Sequence, residues 1–178
     1  MHRNNLLQKL QDYQPTADEA HYKHDMLAFI QQHPDCFERT LLIGHITASA
    51  WLINKAGTHV LLMHHTKLNM WLQLGGHCDG DADVVRVAVK EAQEESGIMG
   101  IAVVSEDIFD IDIHRIPARG HEPEHAHYDV RFLLQVTSDE TVIQNSESLA
   151  LRWIGKDPAE LPVQRPGLLR MFHKWLQR

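Results

Sequence analysis

Residues Gly76 to Ile98 read GHCDGDADVVRVAVKEAQEESGI, and this stretch decides the fold. Glu91, Glu94 and Glu95 stand at i, i+3 and i+4, the spacing that places three carboxylates on one helical face. Asp79, Asp81 and Asp83 supply capping or charge-complementing groups for a helix start, no Gly or Pro interrupts Ala82 to Ser96, and Gly97 supplies the stop. The wheel predicts a packing face of Val85, Ala88, Val89, Ala92 and Ser96, with the acidic row at its border. Like charges stacked this way repel unless something neutralises them. Hard oxygen ligands beside a glycine-rich turn suit Mg²⁺ or Mn²⁺, which complete their shells with water and substrate phosphate.

The same residues resemble the Nudix box, G-x5-E-x7-R-E-U-x-E-E-x-G-U with U apolar. Gly76, Glu91, Glu94, Glu95, Gly97 and Ile98 match it in register. Ala82 stands where the first Glu is expected, Lys90 where Arg is expected, and Ala92 is a small version of the apolar residue. Lys90 keeps the positive charge but loses the planar fork of Arg, so it neutralises without clamping. Asp79, Asp81 or Asp83 are the candidates to replace the missing carboxylate through water.

The resemblance implies an α/β fold: a Nudix-like α/β/α sandwich with a mixed sheet. Working outward, Leu6 to Tyr13 reads as a short helix broken at Pro15, and Thr16 with Glu19 forms a capping-box pattern ahead of a helix that Pro34 ends. Residues 1–38 are therefore expected to be an N-terminal helical extension and 39–178 the Nudix domain. Leu41 to Ile53 and His59 to His64 read as strands joined in a hairpin through Asn54 to Gly57. A short strand from Trp71 to Leu74 delivers the chain into Gly75 and Gly76, where a bare backbone can approach a metal or phosphate. Beyond the box, Ile101 to Ile116, His127 to Thr137 and Leu149 to Ile154 read as strands, Pro117 to Glu124 as a loop, and Pro166 to Gln177 as an amphipathic closing helix.

His121-Glu122-Pro123-Glu124-His125 satisfies the letters of the zinc-protease pattern H-E-x-x-H, which requires both histidines on one continuous helix. Pro123 excludes that helix. The stretch instead reads as a polar loop rim, with His127 and Asp129 sharing one face of the strand that follows. Nudix enzymes often take a further carboxylate from outside the box as metal ligand or base, and the resemblance suggests Glu122 or Glu124. His45, His64 and His65 read as hydrogen-bonded packing in or beside strands. His77, inside the box, is placed to meet a phosphate oxygen or the metal, and Trp71 to stack on a base.

The 178 residues carry a net charge of -7, which argues against a nucleic-acid backbone as partner, whereas a metal can bring a small phosphorylated ligand to an acidic site. Two cysteines are too few for a disulfide scaffold, no apolar run reaches membrane-spanning length, and Met1 to Tyr13 is too polar for a signal peptide. A cytoplasmic setting is expected, with no membrane partner and with a homodimer allowed for. Walker, dinucleotide and nucleophile-elbow motifs do not occur.

Together these readings give a hydrolase that cleaves a diphosphate bond in a nucleoside diphosphate joined to another group. Mg²⁺ or Mn²⁺ would be held by Glu91, Glu94, Glu95 and the Gly76 carbonyl. Glu94, Glu91, Lys90, Glu122 and Glu124 are the catalytic candidates, and His77, Trp71, His125, His127 and Asp129 the substrate-binding ones. Two alternatives stand beside it. Trp71 to His77 is similar to the isopentenyl-diphosphate isomerase branch, although Cys78 follows His77 instead of preceding it. Ala82 and Lys90 favour a Nudix-fold binding or regulatory module.

Overall fold

Along β1 (Gly44–Ile53), Ile46, Ala48, Ala50 and Leu52 alternate with Thr47, Ser49, Trp51 and Ile53, and all ten residues are buried. A strand buried on both faces belongs at the centre of a layered fold. In the computed structural model, which describes residues 2–178, β1 is flanked by β4 (Leu74–His77), antiparallel, and by β7 (His125–Val136), parallel over its whole length. The expected hairpin with β2 (Val60–His65) reduces to one pair, Ile53 with Val60. β2 finds its partners in β3 (Met70–Leu72) and β8 (Ser148–Ile154) instead.

β7 continues the sheet, pairing β6 (Asp110–Ile116) along its first half and β5 (Ile101–Val103) at its end. The single strand expected from Ile101 to Ile116 is thus two, because Ser105 bonds Asp107 and turns the chain between them. The result is a mixed eight-stranded sheet among the described residues.

Helices cover both faces, giving a mixed α/β fold. Under one face lie α1 (Asn4–Asp12), α2 (Ala20–Gln32) and α3 (Val84–Ser96), which share one core with Ile46, Ala48, Ala50, Leu52, Val130, Phe132 and Leu134. Phe29 of α2 stacks on Tyr128 of β7 with ring centroids 3.9 Å apart. On the other face α4 (Pro166–Leu176) buries Leu168, Met171, Phe172 and Trp175 against Trp51, Leu62 and Leu133. No helix among the described residues is long and apolar enough to cross a membrane.

A buried ionic network ties these layers together. Glu19, in a short 3-10 turn ahead of α2, accepts from Thr16 as the capping pattern requires, and also from Lys174 of α4 at 2.6 Å. Lys174 and Arg170 both reach Asp110, and Arg131 joins Asp110, Asp112 and Asp129.

Candidate active site

α3 opens at Asp83, whose carboxylate accepts from the Arg86 N–H, and closes at Gly97 in the left-handed conformation. Its buried face is Val84, Val87, Ala88, Ala92, Glu95 and Ser96, so Val85 and Val89 of the expected face are only half-buried. That rotation carries the acidic row inward. Glu95 is 3 % exposed, the Glu91 side chain 15 % and the Glu94 side chain 58 %.

The glycine pair in β4 lies over this row. Glu95 Oε2 accepts from the Gly75 N–H at 2.8 Å. At Gly76 a β-carbon would stand 2.3 Å from Glu91 Oε2, so the absent side chain leaves the room the carboxylate occupies. Burial raises the Glu91 carboxyl, with Glu94 and Glu147 adding to it and Lys90 opposing. Burial, opposed by the Gly75 hydrogen bond and reinforced by Glu91, Glu147 and Glu94, pushes Glu95 up to about 8. Lys90 reaches Glu91 at 3.4 Å and Glu94 at 3.6 Å, while among the described residues no cation pairs with Glu95. Carboxylates crowded together with so little compensating charge, beside a backbone left open by glycine, form a donor set that fits a hard divalent cation.

The three nearby aspartates are otherwise engaged. Asp79 forms a two-pronged pair with Arg39, Asp81 pairs with Arg86, and Asp83 caps α3. Each thus already has a partner, and a water-mediated stand-in for the Glu missing at Ala82 would act alongside that pairing. Arg39, raised by its hydrogen bonds to Asp79, also sits in the fields of Glu122 and Glu91. Glu124 is exposed and pairs with Arg115 at 3.3 Å, and Glu122 is exposed on the far loop, where its backbone pairs with Arg119. The carboxylate from outside the box that acts on both Glu91 and Glu95 is Glu147, ahead of β8. Sequence reading passed over it. Only the antiparallel pairing of β8 with β2, and the Thr66 N–H bonded to the Glu147 carbonyl at 2.8 Å, bring it to the site.

Strand alternation sends the next residue to the opposite face of the sheet. Gly76 faces α3, so His77 faces away, beside Thr47 of β1. There it meets His45 from β1 and His127 from β7, which are register partners, and His125 and His114 surround them. Burial lowers His45 to about 4 and His127 to about 2, with the neighbouring imidazoles adding to each shift, so the rings are neutral near pH 7. His45, expected to be hydrogen-bonded packing, is 3 % exposed, and among the described residues neither of its ring nitrogens has a hydrogen-bond partner. Asp129 lies in the same row, 1 % exposed, with both oxygens filled: Oδ1 by Thr47 and Ser49, Oδ2 by Gln73 and Arg131. Its partners are all within the protein.

Trp71 stacks on His64 at 5.1 Å, and the Arg152 guanidinium covers it at 5.3 Å. Cys78 is 4 % exposed and burial pushes its thiol far above the ordinary range. An inert thiol of that kind offers no proton-transfer group to an isomerase-type reaction.

The fold and the acidic helix under a glycine strand define a hydrolase of the Nudix class. The NUDIX domain family matches residues 44–175, and the chain belongs to that family. No curated protein matches it. Among solved structures it is similar to a Clostridium perfringens hydrolase of the NUDIX family, at 25 % identity and a TM-score of 0.55 over 75 % of this chain and 97 % of that one. It is also similar to a C. elegans Ap4A hydrolase binary complex, at 19 % identity and a TM-score of 0.59, covering 74 % and 95 %. A third is an ADP-ribose pyrophosphatase from Streptococcus suis, at 20 % identity and a TM-score of 0.53, covering 74 % and 89 %.

Proposed function

We propose that the protein hydrolyses a diphosphate bond in a nucleoside diphosphate joined to another group, using Mg²⁺ or Mn²⁺ held by Glu91, Glu94, Glu95 and the Gly76 carbonyl. The observation that carries this reading is Glu95, buried, fixed by the Gly75 N–H and, among the described residues, without a cation partner. A carboxylate kept there in its charged form needs a positive ion, since an unpaired buried charge is costly. The Ap4A hydrolase and the ADP-ribose pyrophosphatase that share its fold agree with a nucleotide-derived substrate.

When bound, the ion neutralises charge on the diphosphate and lowers the pKa of the attacking water. The water oxygen bonds to phosphorus, the bridging P–O bond breaks, and two phosphorylated products leave. A carboxylate takes the water proton: Glu94, the exposed member of the row, or Glu147, whose charge raises both Glu91 and Glu95. Glu91 is held in place by the wall of Gly76, and Lys90 limits repulsion between Glu91 and Glu94. Two buried free thiols, Cys36 and Cys78, agree with a reducing cytoplasm.

The test is product release from nucleoside diphosphate sugars, dinucleoside polyphosphates and nucleoside triphosphates, with Mg²⁺ and with chelator. Turnover should require the metal, and Glu95→Gln should lower kcat by on the order of 10² to 10³ while the fold is kept. Parent-level turnover by Glu95→Gln, or full activity in chelator, overturns the reading.

A further inference from the structure

The histidines on the far face of the sheet call for a separate account. His45, His77 and His127 each bring a ring nitrogen within 4.8 Å of the others. They come from three different strands, and two strand pairings fix them: His45 opposite His127, and His77 opposite Thr47. The central ring, His45, is buried, and among the described residues neither nitrogen has a partner within hydrogen-bond geometry, the nearby Leu41 backbone, which raises its pKa against burial, included. A buried imidazole normally satisfies at least one nitrogen, so two orphans on one ring mark a missing partner.

We propose that His45, His77 and His127 form a second metal site, for a transition ion of the Zn²⁺ type, distinct from the carboxylate site on the opposite face. Neutral imidazoles suit Zn²⁺ and its neighbours, and do not suit Mg²⁺, which takes oxygen ligands. The size is right. At a Zn–N length of about 2.0–2.1 Å the edge of a tetrahedron is about 3.3–3.4 Å, so each nitrogen needs to move inward by less than about 1 Å.

The surroundings are those of a ligand set held in place. His125 Nδ1 lies 2.9 Å from the Pro123 carbonyl and its Nε2 lies 3.3 Å from His127 Nε2. A histidine tied to a backbone carbonyl in this way orients its neighbour, the usual outer-shell arrangement around a metal ligand. Below the cluster, Asp129 is saturated by Thr47, Ser49, Gln73 and Arg131, which pins β7 two residues from His127. Three protein nitrogens leave a fourth position open to water or to an anionic ligand group.

This inference goes beyond the hydrolase reading and stands without it, because the two sites use different residues on different faces. The test uses the full chain without a histidine tag, stripped with chelator and titrated with Zn²⁺ against a chromophoric chelator, with Co²⁺ absorption as the geometric readout. One Zn²⁺ per chain, a tetrahedral Co²⁺ spectrum and no competition from Mg²⁺ are expected. His77→Gln and His127→Gln, both half-buried positions, should weaken Zn²⁺ by at least about 100-fold, and His125→Gln by about 10- to 100-fold. Glu95→Gln should bind Zn²⁺ as the parent does. Circular dichroism of each variant separates lost binding from lost fold, and a variant that does not fold is replaced by His45→Asn in the same titration. Absence of stoichiometric Zn²⁺ binding in the parent overturns the proposal, as does Zn²⁺ binding lost in Glu95→Gln but kept in the folded histidine variants.

Discussion

Gly76 and His77 are adjacent in sequence and serve opposite faces of one sheet. At Gly76 the geometry leaves no slack, since a β-carbon would overlap Glu91 Oε2. Gly76→Ala is therefore expected to push the Glu91 carboxylate aside by about an ångström and lower kcat by about 100-fold, the usual consequence of misplacement on that scale. Steady-state kinetics with a melting curve on the same sample check it. An alanine variant at parental kcat would show that Glu91 does not need its present position.

At the scale of elements, α3 was legible because its signals are local: an aspartate cap, an unbroken run, a glycine stop and three glutamates in register. Its rotation was not. Val85 and Val89 fit the apolar wheel as well as Val84 and Val87 do, and only the position of β4 selects between them. The same limit hid the histidine cluster and Glu147. A hairpin between β1 and β2 is what neighbouring strands usually form, but β1 pairs along its length with β4 and β7, and no local pattern says that His45 will face His127. Asp129 and Arg131 look like exposed positions because charged residues usually are, and their mutual satisfaction shows only in three dimensions. Lys90 belongs to this scale too. Its side chain is 59 % exposed, and an exposed pair is worth at most about 1 kcal/mol, so Lys90→Met should lower turnover by about two- to fivefold and Lys90→Arg should retain or raise it. Equal rates in all three proteins would make the position passive.

For the whole molecule, the buried network from Glu19 through Lys174 and Asp110 to Arg131 joins the N-terminal helices, α4 and the sheet. Lys174→Met leaves Glu19 and Asp110 short of a cation, and removing one partner of such a pair costs about 3 kcal/mol. In a chain of this size that lowers Tm by about 6–12 °C. The network also sets an acid limit. Burial raises the Glu19 carboxyl, but hydrogen bonds from Lys174, Tyr13 and Thr16 outweigh it and hold the group at about 2, below its ordinary 4.5. A depressed carboxyl stabilises the fold fully above the ordinary value, and that contribution fades as pH falls toward 2. Melting curves from pH 5 to pH 2 should therefore drop more steeply for the parent than for Glu19→Gln. Parallel curves would remove Glu19 from the acid response.

The parallel pairing of β1 with β7 also governs how the chain is made. Residues of β7 trail their partners in β1 by 82 positions, as Thr47 and Asp129 show. At ordinary rates of synthesis of about 5–20 residues per second, a ribosome needs roughly 4 to 16 s to supply that distance. Throughout that interval β1, ten residues with Ile46, Ala48, Ala50 and Leu52 on one face and Trp51 and Ile53 on the other, has no neighbour on its β7 edge. An open edge of that kind is a template for pairing with other chains. The nascent protein is thus most exposed to aggregation, and most in need of a chaperone, before the ribosome has delivered His127 to its place opposite His45.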